Sequence, residues 1–255
     1  MKNNFSTFSH NTKDKAMTQI VAAINTAISE NIYEDYQRSE LDHLKSNSFY
    51  QRIWDYINNN LSKIDLPNIT GGFTKHGLWN AYSLFDKETG LIYSFLREKR
   101  FYEIARKITA YPQHYVRVLA AQGNSDLQPT QMTFFSMEPD QTKSEYIFEQ
   151  VCSNLMITPD MVKGHRVILF NGYNGILTSV QCCMVDWAFE IHDSIDLTSY
   201  INVYEPVIVE EISDPISKTN NPSQGLKLKP KAKEKIALKN NLDLKKEENN
   251  SKKKI

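Results

Sequence analysis

The chain has 255 residues, of which 40% are apolar, 24% charged and 11% aromatic, with only nine glycines and nine prolines. That composition supports a folded domain with a sizeable core and excludes collagen-like or repetitive β architecture. The formal net charge of zero hides a split: Lys218–Ile255 carries twelve lysines against four acids, or +8, which leaves eighteen cations against twenty-six acids, or −8, on the rest. No apolar run approaches the ~18 residues of a membrane span. The segment Met1–Ser6 is polar and lacks the apolar stretch of a signal peptide, so a cytoplasmic, membrane-free protein is expected.

Residues 1–14 read as a flexible N-terminus. Met17, Ile20, Val21, Ile24 and Ile28 then fall at helical spacing and predict an amphipathic helix over 15–30. Residues 31–46 are mixed and polar. A second helix is expected over about 47–63, from Phe49, Ile53, Trp54, Ile57 and Leu61 at three- and four-residue intervals. Pro67–Phe73, with Thr70-Gly71-Gly72, reads as a loop.

The densest signal follows, LWNAYSLFDKETGLIYSFLREKRFYEIARK from Leu78 to Lys107. Two aromatic and β-branched runs flank Asp86–Gly90. Asp86 is suited to bind the turn amides and Gly90 to supply a positive φ, so a β-hairpin is predicted. Both faces of its strands are apolar, which predicts a sheet covered on both sides. At Arg97 the period changes from 2 to 3.6 and a basic helix begins, with Phe101, Ile104 and Ile108 inward. Pro112 is expected to open a further helix carrying Tyr115, Val118 and Leu119.

Met132–Met137 reads as a short strand. Thr142 and Glu145 stand in the spacing of a capping box ahead of a helix over about 143–154. Arg166–Asn171 and Ile176–Val185 flank Gly172-Tyr173-Asn174-Gly175, a second hairpin signal, with a third strand expected over Phe189–His192. Leu197–Tyr204 reads as a short helix or cap, and Pro206–Ile212 as one more strand or docking segment. After Ser213 aromatics vanish and Lys, Asn, Ser and Glu dominate, which predicts a disordered lysine-rich tail over 213–255. The fold class is therefore α+β: helices packed on a mainly antiparallel sheet built from two β-hairpins. One domain over 15–212 is expected, with a subdomain break near 122–130 as the alternative.

Motifs for chemistry are sparse. Cys152, Cys182 and Cys183 are an odd set without CxxC, and adjacent strand residues point to opposite faces, so buried reduced thiols are expected rather than a metal site. The six histidines form no HExxH or HxH, so no metal centre is expected. No nucleophile elbow or phosphate-binding glycine loop occurs. Asp86, Glu88, Glu98 and Lys99 supply the residue types of a Mg²⁺-dependent nuclease, but their spacing puts the first two in a turn and the others on a helix.

The sharper candidate lies between Arg97 and Arg117, where six cations face two acids, a local +4. Arg97, Lys99, Arg100, Arg106, Lys107 and Arg117 are interleaved with Tyr111 and His114, a pattern suited to phosphates and stacked bases of DNA or RNA. The bland reading is a helix whose arginines pair with acids elsewhere in the fold.

Three runs, Gly77-Leu78-Trp79, Phe85–Gly90 and Phe95–Phe101, with His114-Tyr115 and the segment ending Leu197–Ile201, resemble an uncharacterised bacterial domain-of-unknown-function family over roughly 73–204. The resemblance implies a bacterial cytosolic protein, with phage or mobile-element association as one setting, and brings no catalytic residues. Three function classes follow: a regulatory or interaction protein with a protein partner and no cofactor, a nucleic-acid-binding protein using 97–117 and the tail, and a Mg²⁺-dependent nuclease.

Overall fold

The computed structural model describes residues 10–40, 45–76, 79–130 and 138–201. The expected strands Met132–Met137 and Pro206–Ile212, and the lysine tail, lie outside these residues. The architecture is α+β, a six-stranded mixed, mostly antiparallel sheet with helices on both faces.

Helix α1 (His10–Thr26) does not stop near residue 30. A π-helical turn, Ala27–Asn31, carries it into α2 (Ile32–Arg38). Ile24, Ile28, Ile32 and Tyr36 are all buried, and this strict four-residue spacing drifts around an α-helix of 3.6 residues per turn. The wider π turn takes up the drift and keeps the stripe on the core. Helix α3 (Phe49–Leu61) buries Ile53, Ile57 and Leu61 as the periodicity predicts.

The sheet runs in chain order: β1 (Ile69–His76), β2 (Trp79–Asp86), β3 (Leu91–Arg97), β4 (Gly164–Tyr173), β5 (Ile176–Val185) and β6 (Ile191–Asp196). All neighbours are antiparallel except β3 and β4. That parallel pair needs a long crossover, which contains α4 (Glu98–Arg106), α5 (Tyr115–Gly123) and α6 (Gln141–Asn154).

Strand β1 corrects the expected loop. Gly71-Gly72 reads as a breaker, yet both residues sit in a ladder with β2. A Cβ on Gly71 would meet the Tyr82 hydroxyl at 2.2 Å, and one on Gly72 the Asn154 carbonyl oxygen at 2.2 Å. These glycines admit a close approach of ring and helix end to the strand. The predicted Asp86–Gly90 turn forms, with Gly90 at φ 72°, and the Asn174-Gly175 turn forms with φ 48° and 78°. The cap of α6 is Asp140, whose side chain accepts from the Lys143 amide, two residues ahead of the expected Thr142. The third strand of the later unit starts at Ile191, not Phe189, because Phe189 has φ 68° and is buried in the loop before it.

The sheet is apolar on both faces, as expected. Tyr82, Leu84, Tyr93, Phe95, Ile168 and Phe170 pack under α1 and α3. On the other face Leu96, Val167 and Leu169 meet Phe101 and Ile104 of α4, while Phe85 and Ile92 meet Val118, Leu119 and Val151 of α5 and α6. Cys182 belongs to the first face and Cys183 to the second, and all three cysteines are free and buried.

Candidate functional site

The ladder between β2 and β3 holds for only three residue pairs, Leu84–Asp86 opposite Leu91–Tyr93. Strand β2 stays paired with β1 along its whole length, from Ile69 opposite Asp86 to His76 opposite Trp79. Strand β3 likewise stays paired with β4 through Arg97. Beyond Leu84 the β1–β2 ribbon therefore leaves β3, and the sheet splits.

Tyr115 of α5 reaches into the split. Its hydroxyl donates to the Phe95 carbonyl at 3.0 Å, the acceptor that the Tyr82 amide would meet if the β2–β3 register continued. Its ring stacks on His76 with centroids 4.3 Å apart and lies 4.9 Å from that of His114. Burial drives His76 down to about 4. Burial, then the Arg100 charge and His76, take His114 down to about 3. Both imidazoles are neutral at physiological pH, and the buried His76 Nε2 and His114 Nδ1 have no hydrogen-bond partner among the described residues.

The split opens a cleft of about 1480 Å³, larger than the roughly 300–1,000 Å³ of a drug-sized ligand site. Its walls come from both layers: Trp54 and Asn58 of α3, Phe73 and Trp79 of the ribbon, Arg97 at the end of β3, Arg100 of α4, and Ile147 and Gln150 of α6. Trp79 is 53% exposed and Phe73 48%, so both rings offer free surface to the cleft they line. Lys75, Arg97 and Arg100 face a single lining carboxylate, Asp55.

Arg97 has an environment unlike that of Arg100. Its guanidinium lies over the Tyr50 ring at 4.9 Å, and burial pulls it below the usual arginine range, partly offset by Tyr50. Among the described residues no carboxylate lies within ion-pair distance of it. Arg100, by contrast, pairs with Glu103 at 3.0 Å, stacks on Tyr111 at 4.7 Å and donates to the Tyr111 hydroxyl.

The basic stretch 97–117 spans two helices, as expected, but the second starts at Tyr115 and not at Pro112. A 3₁₀ turn, Ile108–Ala110, and an extended His114 separate α4 from α5. Four of the eight nominated residues reach the cleft: Arg97, Arg100, Tyr111 and His114. Lys99, Arg106 and Lys107 do not line it; Arg106 donates to the Tyr102 carbonyl on its own helix. Arg117 is 2% exposed and donates to the carbonyls of Trp187 and Pro112, so it serves the core.

The nuclease set is not brought together either. Asp86 and Glu88 sit in the turn before β3 and Glu98 and Lys99 after its end; seven strand residues intervene, a span of about 20 Å. Asp86 accepts from the Glu88 amide and the Thr89 hydroxyl, and Glu88 accepts from Asn68.

Sequence reasoning missed the contributions of α3 and of the β1–β2 ribbon. The exposed Trp79 beside Lys75 was the available signal. It also missed Asp186, Glu190 and His192, whose ligand atoms lie within 4.8 Å of one another. Asp186 is fully buried, and its carboxylate accepts from the Ala188 and Glu190 amides and lies 2.8 Å from His192 Nε2. Glu190 accepts from Thr130. Those bonds tie the β5–β6 loop shut.

No described helix is long and apolar enough to cross a membrane. Neither a curated protein nor a solved structure matches the chain. A family model does match, over residues 7–246, and the chain belongs to that family, the Family of unknown function (DUF5986).

Proposed function

We propose that this member of a family without an assigned activity binds single-stranded nucleic acid in the β2–β3 cleft. The carrying observation is Arg97, a partly buried guanidinium with no described carboxylate, in a cleft whose other prominent features are exposed aromatic rings. A buried charge left unpaired is costly, and a phosphate supplies the missing partner in bidentate geometry. Trp79 and Phe73 offer stacking platforms of the kind that hold bases without demanding a sequence. The charged groups lining the cleft are Lys75, Arg97 and Arg100 against Asp55, in a body of charge −8, so the excess of cations here favours polyanions at this place over the rest of the surface.

Fluorescence anisotropy of labelled single-stranded DNA and RNA against the full chain tests this. Salt-dependent binding is expected, with Trp79 fluorescence quenched. Arg97→Ala should weaken binding at least about tenfold and lower the log–log salt slope by about 0.7, one phosphate contact on a single strand. Absence of any salt-sensitive binding by the intact protein overturns the reading.

A protein partner is the second reading, favoured by the same split, because unpaired strand edges accept an extended peptide. Here the protein is a regulatory or interaction factor. A stoichiometric partner that is lost with Trp79→Ala, together with indifference to nucleic acid, would select it.

A further inference from the structure

We infer that the cleft reads the base edges of its bound strand through the main chain of β2, a step that rests on the nucleic-acid reading. In an antiparallel ladder, alternate residues aim both N–H and C=O at the same neighbour. The Lys87 amide donates to the Asn68 carbonyl at 2.8 Å, which fixes the parity on β2: Trp79, Ala81, Ser83 and Phe85 face β1, and Asn80, Tyr82, Leu84 and Asp86 face β3. Leu84 and Asp86 find Tyr93 and Leu91 there. Tyr82 does not, because the ladder has ended and its expected acceptor, the Phe95 carbonyl, is held by Tyr115.

Two bonds confirm the parity. The Asn80 carbonyl accepts from Asn58 Nδ2 at 3.1 Å, and the Phe95 carbonyl accepts from Tyr115, so both point into the split. What the split leaves without a ladder partner is the Tyr82 N–H beside the Tyr82 C=O, with the Asn80 N–H next along the strand and the Phe95 N–H across from them. Tyr82 lies beyond the end of the β2–β3 ladder, is 9% exposed and lines the cleft, so main-chain groups without a ladder partner at this position gain most from a ligand. A donor and an acceptor side by side match the Watson–Crick edge of an unpaired nucleobase, which presents the complementary pair. The Phe73 ring, packed on that of Tyr82 with centroids 4.7 Å apart, and Trp79 flank this edge with aromatic surface. Duplexes are excluded, since their Watson–Crick edges are already used.

The experiment is competition binding to the full chain by three single strands of equal length and charge: one with unmodified adenines, one with N6,N6-dimethylated adenines, which are neutral and lack the exocyclic donor, and one abasic. The unmodified strand is expected to compete at least about tenfold better than either of the others. Asn58→Ala, which frees the Asn80 carbonyl as a second acceptor, is expected to change the ratio of affinities for adenine and uracil homopolymers with the salt slope unaltered. Circular dichroism and a thermal melt verify folding of the variant. Equal competition by abasic and unmodified strands overturns base reading and leaves phosphate binding in the cleft intact. Failure of all three strands to bind overturns both readings together.

Discussion

The sheet contains two hairpins with similar sequence signals and different fates. Both have aromatic and β-branched arms, and both close on a residue of positive φ, Gly90 in one and Asn174-Gly175 in the other. The β4–β5 hairpin zips from Tyr173 opposite Ile176 to Val167 opposite Cys183, with one irregularity at Asn171/Gly172. The β2–β3 hairpin zips for three pairs and then parts. Strand propensity does not separate them, since the β2 and β3 arms are as aromatic as their counterparts. The difference lies in what is packed alongside. Tyr115 takes the acceptor that the next β2 amide would use, and its ring, stacked on His76, lines one side of the opening. A ladder that ends before its strands do leaves polar groups in need of partners, and that is where a ligand gains most.

Acid separates the two hairpins most strongly. His165 on β4 is 1% exposed and lies 2.8 Å from the Ser94 hydroxyl, and burial, with the Arg166 charge second, holds it down to about 3. His76 and His114, at about 4 and about 3, flank the split. All three folded values lie below the roughly 6.5 of an unfolded histidine, so the unfolded chain takes up protons first as pH falls. Their stabilisation is complete above about pH 6.5 and is lost as pH drops toward 4 and 3. At pH 5 each costs about 2 kcal/mol. Urea unfolding at pH 7 and pH 5 should show most of that loss, and His165→Gln should remove one share. Saturating single-stranded nucleic acid should shrink the shares of His76 and His114, whose protonated forms would gain a phosphate, and leave that of His165 unchanged. If ligand protects all three equally, the split is not where it binds.

Core deletion comes next in size. Phe170 on β4 is 1% exposed and meets Trp54 edge-on at 5.4 Å, so Phe170→Ala should cost about 3–5 kcal/mol in urea unfolding. Tyr115→Phe removes one hydroxyl from the split, costs about 1 kcal/mol, and leaves the Phe95 carbonyl free for the Tyr82 amide. Its larger effect should be on binding, several-fold weaker as that amide turns to Phe95. Equal binding by wild type and Tyr115→Phe would mean that the hydroxyl does not hold the split open.

Much of this fold is legible from periodicity. Ile53, Ile57 and Leu61 mark α3, the change of period at Arg97 marks α4, and Asn174-Gly175 marks the second hairpin. The errors have local causes. Gly71-Gly72 satisfies every rule for a loop, and only the approach of Tyr82 and Asn154 makes it a strand. The four-residue spacing from Ile24 to Tyr36 fits no straight α-helix, so the π turn that resolves it was not foreseen. The site was half legible. Arg97, Arg100, Tyr111 and His114 are adjacent enough in sequence to be nominated together, but Trp54, Asn58, Lys75 and Trp79 reach the same cleft only through the split. Arg117 matches the basic pattern yet is buried under Trp187, a contact seventy residues away that no local pattern encodes.

The closed end of the β2–β3 hairpin, where no effect on binding is expected, decides between turn and metal chemistry. Asp86 accepts from the Glu88 amide at 2.9 Å with one oxygen and from the Thr89 hydroxyl at 2.8 Å with the other, a side-chain closure that the Asn174-Gly175 turn achieves with backbone conformation instead. Removing both bonds by Asp86→Ala should cost about 1–2 kcal/mol, whereas Asp86→Asn keeps a carbonyl acceptor at the turn and should cost less than about 1 kcal/mol. A magnesium ligand would behave in the opposite way: Asn would abolish a divalent-dependent cleavage of DNA or RNA as thoroughly as Ala, because the charge is what holds the ion. Stability that follows acceptor count, with strand binding unchanged in both variants, places Asp86 in the architecture that ends where the split begins.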